Sequence, residues 1–146
     1  MGGRYYLSHP IWWFQVPNRL KKYIDDVFTA GHQNGMYASD GRSRKNPAVN
    51  YGTGGLMQGK KYMVTSSWNA PDTAFTLPGE FFDQTPVDDG VLFGFHKMNR
   101  FVGMERIAGF HFHDLEKNAT PGRIENYRLD YIGHLQETII PEKQLS

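Results

Sequence analysis

Apolar positions recur along this chain at two different periods. Leu20, Ile24, Val27 and Phe28 follow one another at four, three and one residues, a single helical stripe, while Arg19, Lys21, Lys22, Asp25 and Asp26 fall on the opposite side. Pro17 suits the first turn of that helix, where a missing N–H does no harm, and Gly31 ends it. Val91, Leu92, Phe95, Met98, Phe101 and Val102 predict a second helix between Val91 and Met104. Thr120, a hydroxyl cap followed by Pro121, starts a third, with Ile124, Tyr127, Tyr131, Ile132 and Leu135 as its apolar residues. Three short runs bounded by turn residues read as strands: Tyr5 to Ser8, Lys60 to Ser67, and Arg106 to His113.

The order β-α-β-α-β-α predicts one α/β domain over residues 1–146, a parallel sheet with right-handed crossovers and helices on both faces. Ligands of such sheets bind where strands end and helices begin. Two strand exits are therefore candidates. The first, His9-Pro10-Ile11-Trp12-Trp13-Phe14-Gln15-Val16-Pro17, sets three aromatic rings between two prolines. A rigid apolar turn of this kind suits one face of a flat π-system, and packing into a core is the alternative. The second exit is Ser67-Trp68-Asn69-Ala70, with Pro71 behind it. Its small and amide side chains would let backbone approach a ligand, although an ordinary turn has the same look.

Composition narrows the possibilities. Aromatic residues make up 14% of the 146, well above a disordered or coiled-coil chain, so a packed core is expected. A net charge of +1, with acids and bases intermixed, gives no footprint for nucleic acid or an anionic membrane. The absence of cysteine excludes disulfides, thiolate nucleophiles and thiolate metal sites. No apolar run reaches the ~18 residues of a membrane span, and no signal-peptide pattern opens the chain. A soluble, cytoplasmic protein is expected.

Gly31 to Gly59 is rich in glycine and lacks a helical or strand period, and a loop so long is most often functional. It carries Tyr37, Tyr51, Gly52, Gly54 and Gly55. The phosphate-cradle reading of those glycines is weak, because no helix start follows them. Arg42, Arg44 and Lys45 form a basic run that suits either solvent or the phosphates of a nicotinamide cofactor. His96 heads the second helix and could give up a proton near neutral pH. His111 and His113 alternate onto one face of a strand, as two metal ligands would, but no third ligand stands at a fixed spacing, and no metal is expected.

The motifs Pro10-Ile11-Trp12-Trp13-Phe14, Pro17, Leu20-Lys21-Lys22-Tyr23-Ile24-Asp25, Gly59-Lys60-Lys61-Tyr62-Met63 and Trp68-Asn69-Ala70-Pro71 resemble those of the flavodoxin-like NAD(P)H:quinone reductases. The likeness is to the modulator of drug activity B branch, related to DT-diaphorase. Tyr37-Ala38-Ser39-Asp40-Gly41-Arg42, Tyr51-Gly52-Thr53-Gly54-Gly55-Leu56 and Phe95-His96-Lys97 extend it over nearly the whole chain. The resemblance implies a flavodoxin-like sheet binding FAD, or FMN in its place, with NAD(P)H as co-substrate and a small-molecule quinone as acceptor. Hydride would pass from nicotinamide to flavin to quinone in ping-pong order. It further implies cofactor contacts from Pro10, Ile11, Trp12, Trp13 and Phe14 and from Ser67, Trp68, Asn69 and Ala70. Tyr37 and Tyr51 would cap the flavin and position the quinone, and His96 would supply a proton. A homodimer or higher homo-oligomer is implied as well.

Members of that family carry about two more strands and a phosphate-binding loop ahead of the segment that starts here at Tyr5. The strand from Tyr5 to Ser8 would then be the third of five in the order 2-1-3-4-5, and its open edge invites pairing with another chain. An alternative function follows: a non-catalytic binding or oligomerisation protein that cannot hold FAD tightly.

Overall fold

A central strand with near-continuous burial organises the fold of residues 3–139, which the computed structural model describes. The elements are β1 (Arg4–Pro10), α1 (Asn18–Ala30), β2 (Lys61–Trp68), α2 (Thr73–Thr76), α3 (Phe93–Phe101), β3 (Glu105–Arg106), β4 (Phe110–His113) and α4 (Pro121–Ile139). All pairing between these strands is parallel. β1 runs beside β2 in unbroken register from Arg4↔Lys61 to Pro10↔Ser67, and β3 and β4 share the other edge of β2. This is the flavodoxin-like arrangement, with the three expected strands as consecutive neighbours. β2 is buried on both faces, as a strand between helical layers must be.

The run from Arg106 to His113 is not one strand. Lys61 pairs with Glu105 whereas Thr65 pairs with Phe110, so the outer strand holds one residue more than β2 over the same span. That extra residue is a bulge, which periodicity does not reveal. Gly109 sits in it because an added Cβ would lie 2.6 Å from the Val64 carbonyl oxygen.

α1 and α3 cover the face of Leu7, Tyr62 and Val64, where Ile24, Leu92, Phe95 and Val102 close the core. Lys21–Asp25 and Lys22–Asp26 pairs, at 2.5 and 2.6 Å, dress the exposed side of α1 and contribute little at that exposure. α4 lies on the other face. Thr120 caps it through its hydroxyl, which accepts from Arg123 N–H at 3.3 Å. Tyr127 and Tyr131 reach the sheet, packing on Phe112, and the Tyr131 hydroxyl meets Thr65 Oγ1 at 2.9 Å. Ile124 and Ile132, expected on the same stripe, stay exposed, and no described residue of α4 is fully buried. The helix meets the sheet through aromatic and polar side chains, with Arg123 donating to His113 O at 2.7 Å and His134 Nε2 to Ala108 O at 2.8 Å, rather than through a full aliphatic face.

The segment between Gly31 and Gly59 is tied down along its length. Leu56 N–H donates to Met36 O at 2.8 Å, Ala38 N–H to Gly54 O at 2.9 Å, and Met57 N–H to Val102 O at 2.9 Å. Gly55 lets this segment lie on the backbone after α3, since a side chain there would run into Val102 and Gly103. Its glycines thus serve close packing. The short helix α2 and the turns after it have no counterpart among the predicted elements.

Candidate functional site

The register of β1 on β2 brings the two strand exits side by side. Pro10 pairs with Ser67, and the next residue, Ile11, donates its N–H to Ser67 O at 3.0 Å. Beyond it, Trp12 and Gln15 exchange two hydrogen bonds of 3.0 Å and close a two-residue turn. The central residues of that turn, Trp13 (φ 50°) and Phe14 (φ 59°), are both left-handed. Glycine and asparagine are the usual occupants of such a turn, and a bulky side chain there costs about 1–2 kcal/mol. Strain of this kind gathers at ligand sites.

Together the exits line one cleft of about 440 Å³. Ile11, Trp13 and Phe14 form one wall, and Asn69, Ala70 and Pro71 form the other. Trp13 is 92% exposed, a large ring held out from the protein. The backbone N–H groups of Trp13, Phe14, Asn69 and Ala70 donate to no group among the described residues. Apolar walls edged with unused amide donors match a planar heteroaromatic ring rich in nitrogen and oxygen acceptors, so the residues present fit a flavin.

Other predicted residues stand differently. Trp68 is buried, its ring set edge-on to Phe75 at 5.0 Å and to Phe82 at 6.2 Å. It floors the cleft and belongs to the core instead of presenting a free face. Pro10, Trp12 and Ser67 flank the cleft without lining it. Ala74, Phe81 and Phe82 complete the lining, and Phe14 stacks on Phe81 at 5.5 Å. These three went unread in the sequence, where the adjacent aromatic pair Phe81-Phe82 behind Pro78-Gly79 was the available signal.

Among the described residues no ionisable side chain lines the cleft. Below it, burial holds His113 below its ordinary pKa and so neutral, and its Nδ1–H donates to Ala70 O at 3.3 Å, fixing the second exit. Tyr37 and Tyr51 line a separate depression with Phe101 and Lys97. Arg42 lies over the Tyr51 ring at 5.6 Å and pairs with Asp40 at 2.7 Å, and its hydrogen bonds hold the Asp40 carboxyl below its usual value. The basic run is thereby partly engaged.

His96 is not brought to the cleft. It lies in a third depression beside Arg106, its Nδ1 2.7 Å from the Tyr62 hydroxyl and its Nε2 2.7 Å from Asp88 Oδ1. Tyr62 is the second residue of β2, whereas the cleft opens at the strand's far end, so α3 places this histidine remote from the exits. His111 and His113 do share a face of β4, but their Nδ1 atoms go to different partners, Ser66 Oγ at 2.7 Å and Ala70 O.

Comparison with known proteins agrees with the fold. Residues 4–135 match the family described by its flavodoxin-like fold. The chain is 47% identical over 129 residues to the NADPH:quinone oxidoreductase MdaB of Haemophilus influenzae, covering 88% of this chain and 64% of that protein. It is 50% identical over 109 residues to an uncharacterized protein of Schizosaccharomyces pombe, covering 75% of this chain and 55% of the other. Against both relatives it spans less than two thirds of their length. The solved structure of general stress protein 14 of Treponema denticola, in complex with FMN, superposes with a TM-score of 0.65 at 23% identity, over 92% of this chain and 66% of that one.

Proposed function

The chain belongs to the family of the flavodoxin-like fold, and on that premise we propose that it is a flavin-dependent NADPH:quinone oxidoreductase. One observation carries the reading: two aromatic strand exits, adjacent through the β1–β2 register, wall a single cleft fringed with four unused backbone donors. The 47% identity to a protein named for that activity supports it. FAD is the flavin proposed, with FMN as the alternative.

A bound flavin would accept hydride from NADPH and pass two electrons to a quinone. The chain's own part is to hold the ring and shape what reaches it. Trp13 would offer one face for stacking, and the N–H groups of Phe14, Asn69 and Ala70 would be the donors that hold the ring. These donors favour negative charge on the ring and so raise its electron affinity. The apolar lining excludes water from the stacked pair. With no acid or base in the cleft, the proton for the reduced quinone comes from solvent or from a residue outside it.

Self-association as a homodimer or higher homo-oligomer belongs to the proposal. Tyr37 and Tyr51 line a depression apart from the cleft, so a second copy would bring them over a bound ring. Among the described residues no helix is long and apolar enough to cross a membrane, and a cytoplasmic setting is proposed with the activity.

The test is spectroscopic and then kinetic. Purified protein, titrated with FAD and separately with FMN, is expected to retain one flavin through gel filtration and then to catalyse quinone-dependent NADPH oxidation. Protein that binds neither flavin would sink the proposal and favour a non-catalytic binding or oligomerisation role.

A further inference from the structure

A line of buried and half-buried polar side chains runs beneath the candidate site and ends on one carboxylate. Trp68 Nε1 donates to Ser66 Oγ at 2.8 Å, and Ser66 Oγ lies 2.7 Å from His111 Nδ1. His111 Nε2 is sealed from solvent without a full hydrogen bond and faces Asp88 Oδ1 at 3.5 Å. From the other side, His96 Nε2 meets the same oxygen at 2.7 Å, and His96 Nδ1 meets the Tyr62 hydroxyl at 2.7 Å. Three elements and a loop converge here: β2 gives Tyr62, Ser66 and Trp68, α3 gives His96, β4 gives His111, and the turn before α3 gives Asp88. Arg106 stands at the rim, 3.7 Å from Asp88 Oδ2.

Donor and acceptor chemistry gives this line a single direction. A carboxylate only accepts, so each imidazole turns an Nε2–H toward Asp88. In a neutral ring Nδ1 is then bare and accepts, from Tyr62 O–H in one arm and from Ser66 O–H in the other. Ser66, having spent its proton on His111, is free to accept from the indole, which can only donate. Burial keeps the Tyr62 hydroxyl protonated, its pKa pushed up to about 12. Burial alone would raise the Asp88 pKa, but the N–H groups of His111 and His96 hold it far below the usual carboxylate range.

We propose that Asp88 is a positioning residue for the flavin site, setting the Trp68 indole, and with it the floor of the cleft, through His111 and Ser66. This rests on the flavin reading above. The other arm, through His96 and Tyr62, anchors the carboxylate to α3. Both imidazole N–H groups face the one oxygen Oδ1, which an asparagine would keep with its two lone pairs, whereas alanine at position 88 leaves neither an acceptor. His111 is then released to its Nδ1–H tautomer, which removes the acceptor from Ser66.

The test uses the full chain and two readouts. In ligand-free protein, nitrogen-15 NMR reports the tautomers of His96 and His111 and the Trp68 indole N–H, the latter identified by its loss in Trp68→Phe. Flavin affinity comes from fluorescence titration with FAD. The expected result is an Nε2–H tautomer for both histidines in the parent. Asp88→Ala and Ser66→Ala should each shift the Trp68 signal and raise the FAD Kd about tenfold, and the double variant should bind no more weakly than Ser66→Ala alone. An Nδ1–H tautomer at His111 in the parent overturns the proposal without recourse to any variant. So does a Trp68 signal indifferent to Asp88→Ala, or a double variant whose loss is the product of the two single losses. A parent that shows the expected tautomers yet binds no flavin overturns the flavin reading and this positioning role together, leaving only the wiring.

Discussion

Trp13 offers the sharpest separation of site from scaffold. Its side chain is 92% exposed and its φ is 50°, so it contributes almost no packing while its backbone is strained. Asparagine tolerates that conformation far better than a bulky ring. Trp13→Asn is therefore expected to leave stability unchanged or raise it by up to about 1 kcal/mol, which is roughly 2–4 °C in Tm for a domain of this size. Flavin binding should move the other way. If the ring covers about 50 Å² of the indole, ~25 cal/mol per Å² gives ~1.3 kcal/mol. Aromatic stacking adds ~0.5–1.5 kcal/mol beyond area, for a total near 2 kcal/mol, or about 30-fold in Kd. Thermal unfolding followed by circular dichroism and a flavin fluorescence titration measure the two quantities on one preparation. A Tm lowered by several degrees with an unchanged Kd would show that Trp13 packs against protein and not against a cofactor.

Phe75 is 4% exposed and stacks face to face with Phe82 at 3.9 Å, so Phe75→Ala should cost about 3–5 kcal/mol, read from urea unfolding; a cost under 1 kcal/mol would mean that the aromatic floor is not a core. Gly109→Ala forces a methyl group against the Val64 carbonyl and should cost about 1–3 kcal/mol, with a Tm drop of several degrees; an unchanged Tm would contradict the bulge. His9 and His113 are held below their ordinary pKa of 6.5, chiefly by burial, so the unfolded chain takes up protons first. Their contribution to stability is complete above pH 6.5 and is lost as pH falls through the folded values, and equal urea midpoints at pH 7.5 and 5.5 would refute it. Tyr62 behaves in the opposite sense. Its raised pKa gives stability that is complete below pH 10 and is lost as pH climbs toward about 12, and Tyr62→Phe should flatten that alkaline slope.

What the sequence revealed and what it hid divide along the range of the interactions. Helix α1 was legible because Leu20, Ile24 and Phe28 repeat within four residues of one another, and the strand exits were legible because Pro10, Trp13 and Phe14 are neighbours in sequence. The adjacency of those exits follows from topology, since two strands joined by a right-handed crossover bring their ends to one side of a sheet. The bulge between β3 and β4 was not legible, because it is a relation between register on β2 and one extra residue, visible only in pairing. The place of His96 was hidden for a related reason. A histidine at a helix start reads as available, and only the fold shows Tyr62 and Asp88 occupying both its nitrogens.

Trp68 joins these two kinds of information. By sequence it is the aromatic at a strand exit, and by structure it is 6% exposed and bound through its N–H to Ser66. A ring so placed cannot be spent on the cofactor alone, since its edges already hold Phe75 and Phe82. Its value to the cleft is position, and position is what the buried network supplies. The outer wall, Trp13 and Phe14, is exposed, strained and set in a turn tied to the sheet by the single Ile11–Ser67 bond. The floor is buried and cross-braced. Division of labour between a braced floor and a tense wall predicts that substitutions of Trp13 lower affinity without lowering stability, whereas floor substitutions lower both in proportion. Trp68→Phe keeps an aromatic ring but deletes the donor to Ser66, so it should lower Tm and flavin affinity together. Loss of affinity alone from that substitution would place Trp68 in the wall and end the distinction.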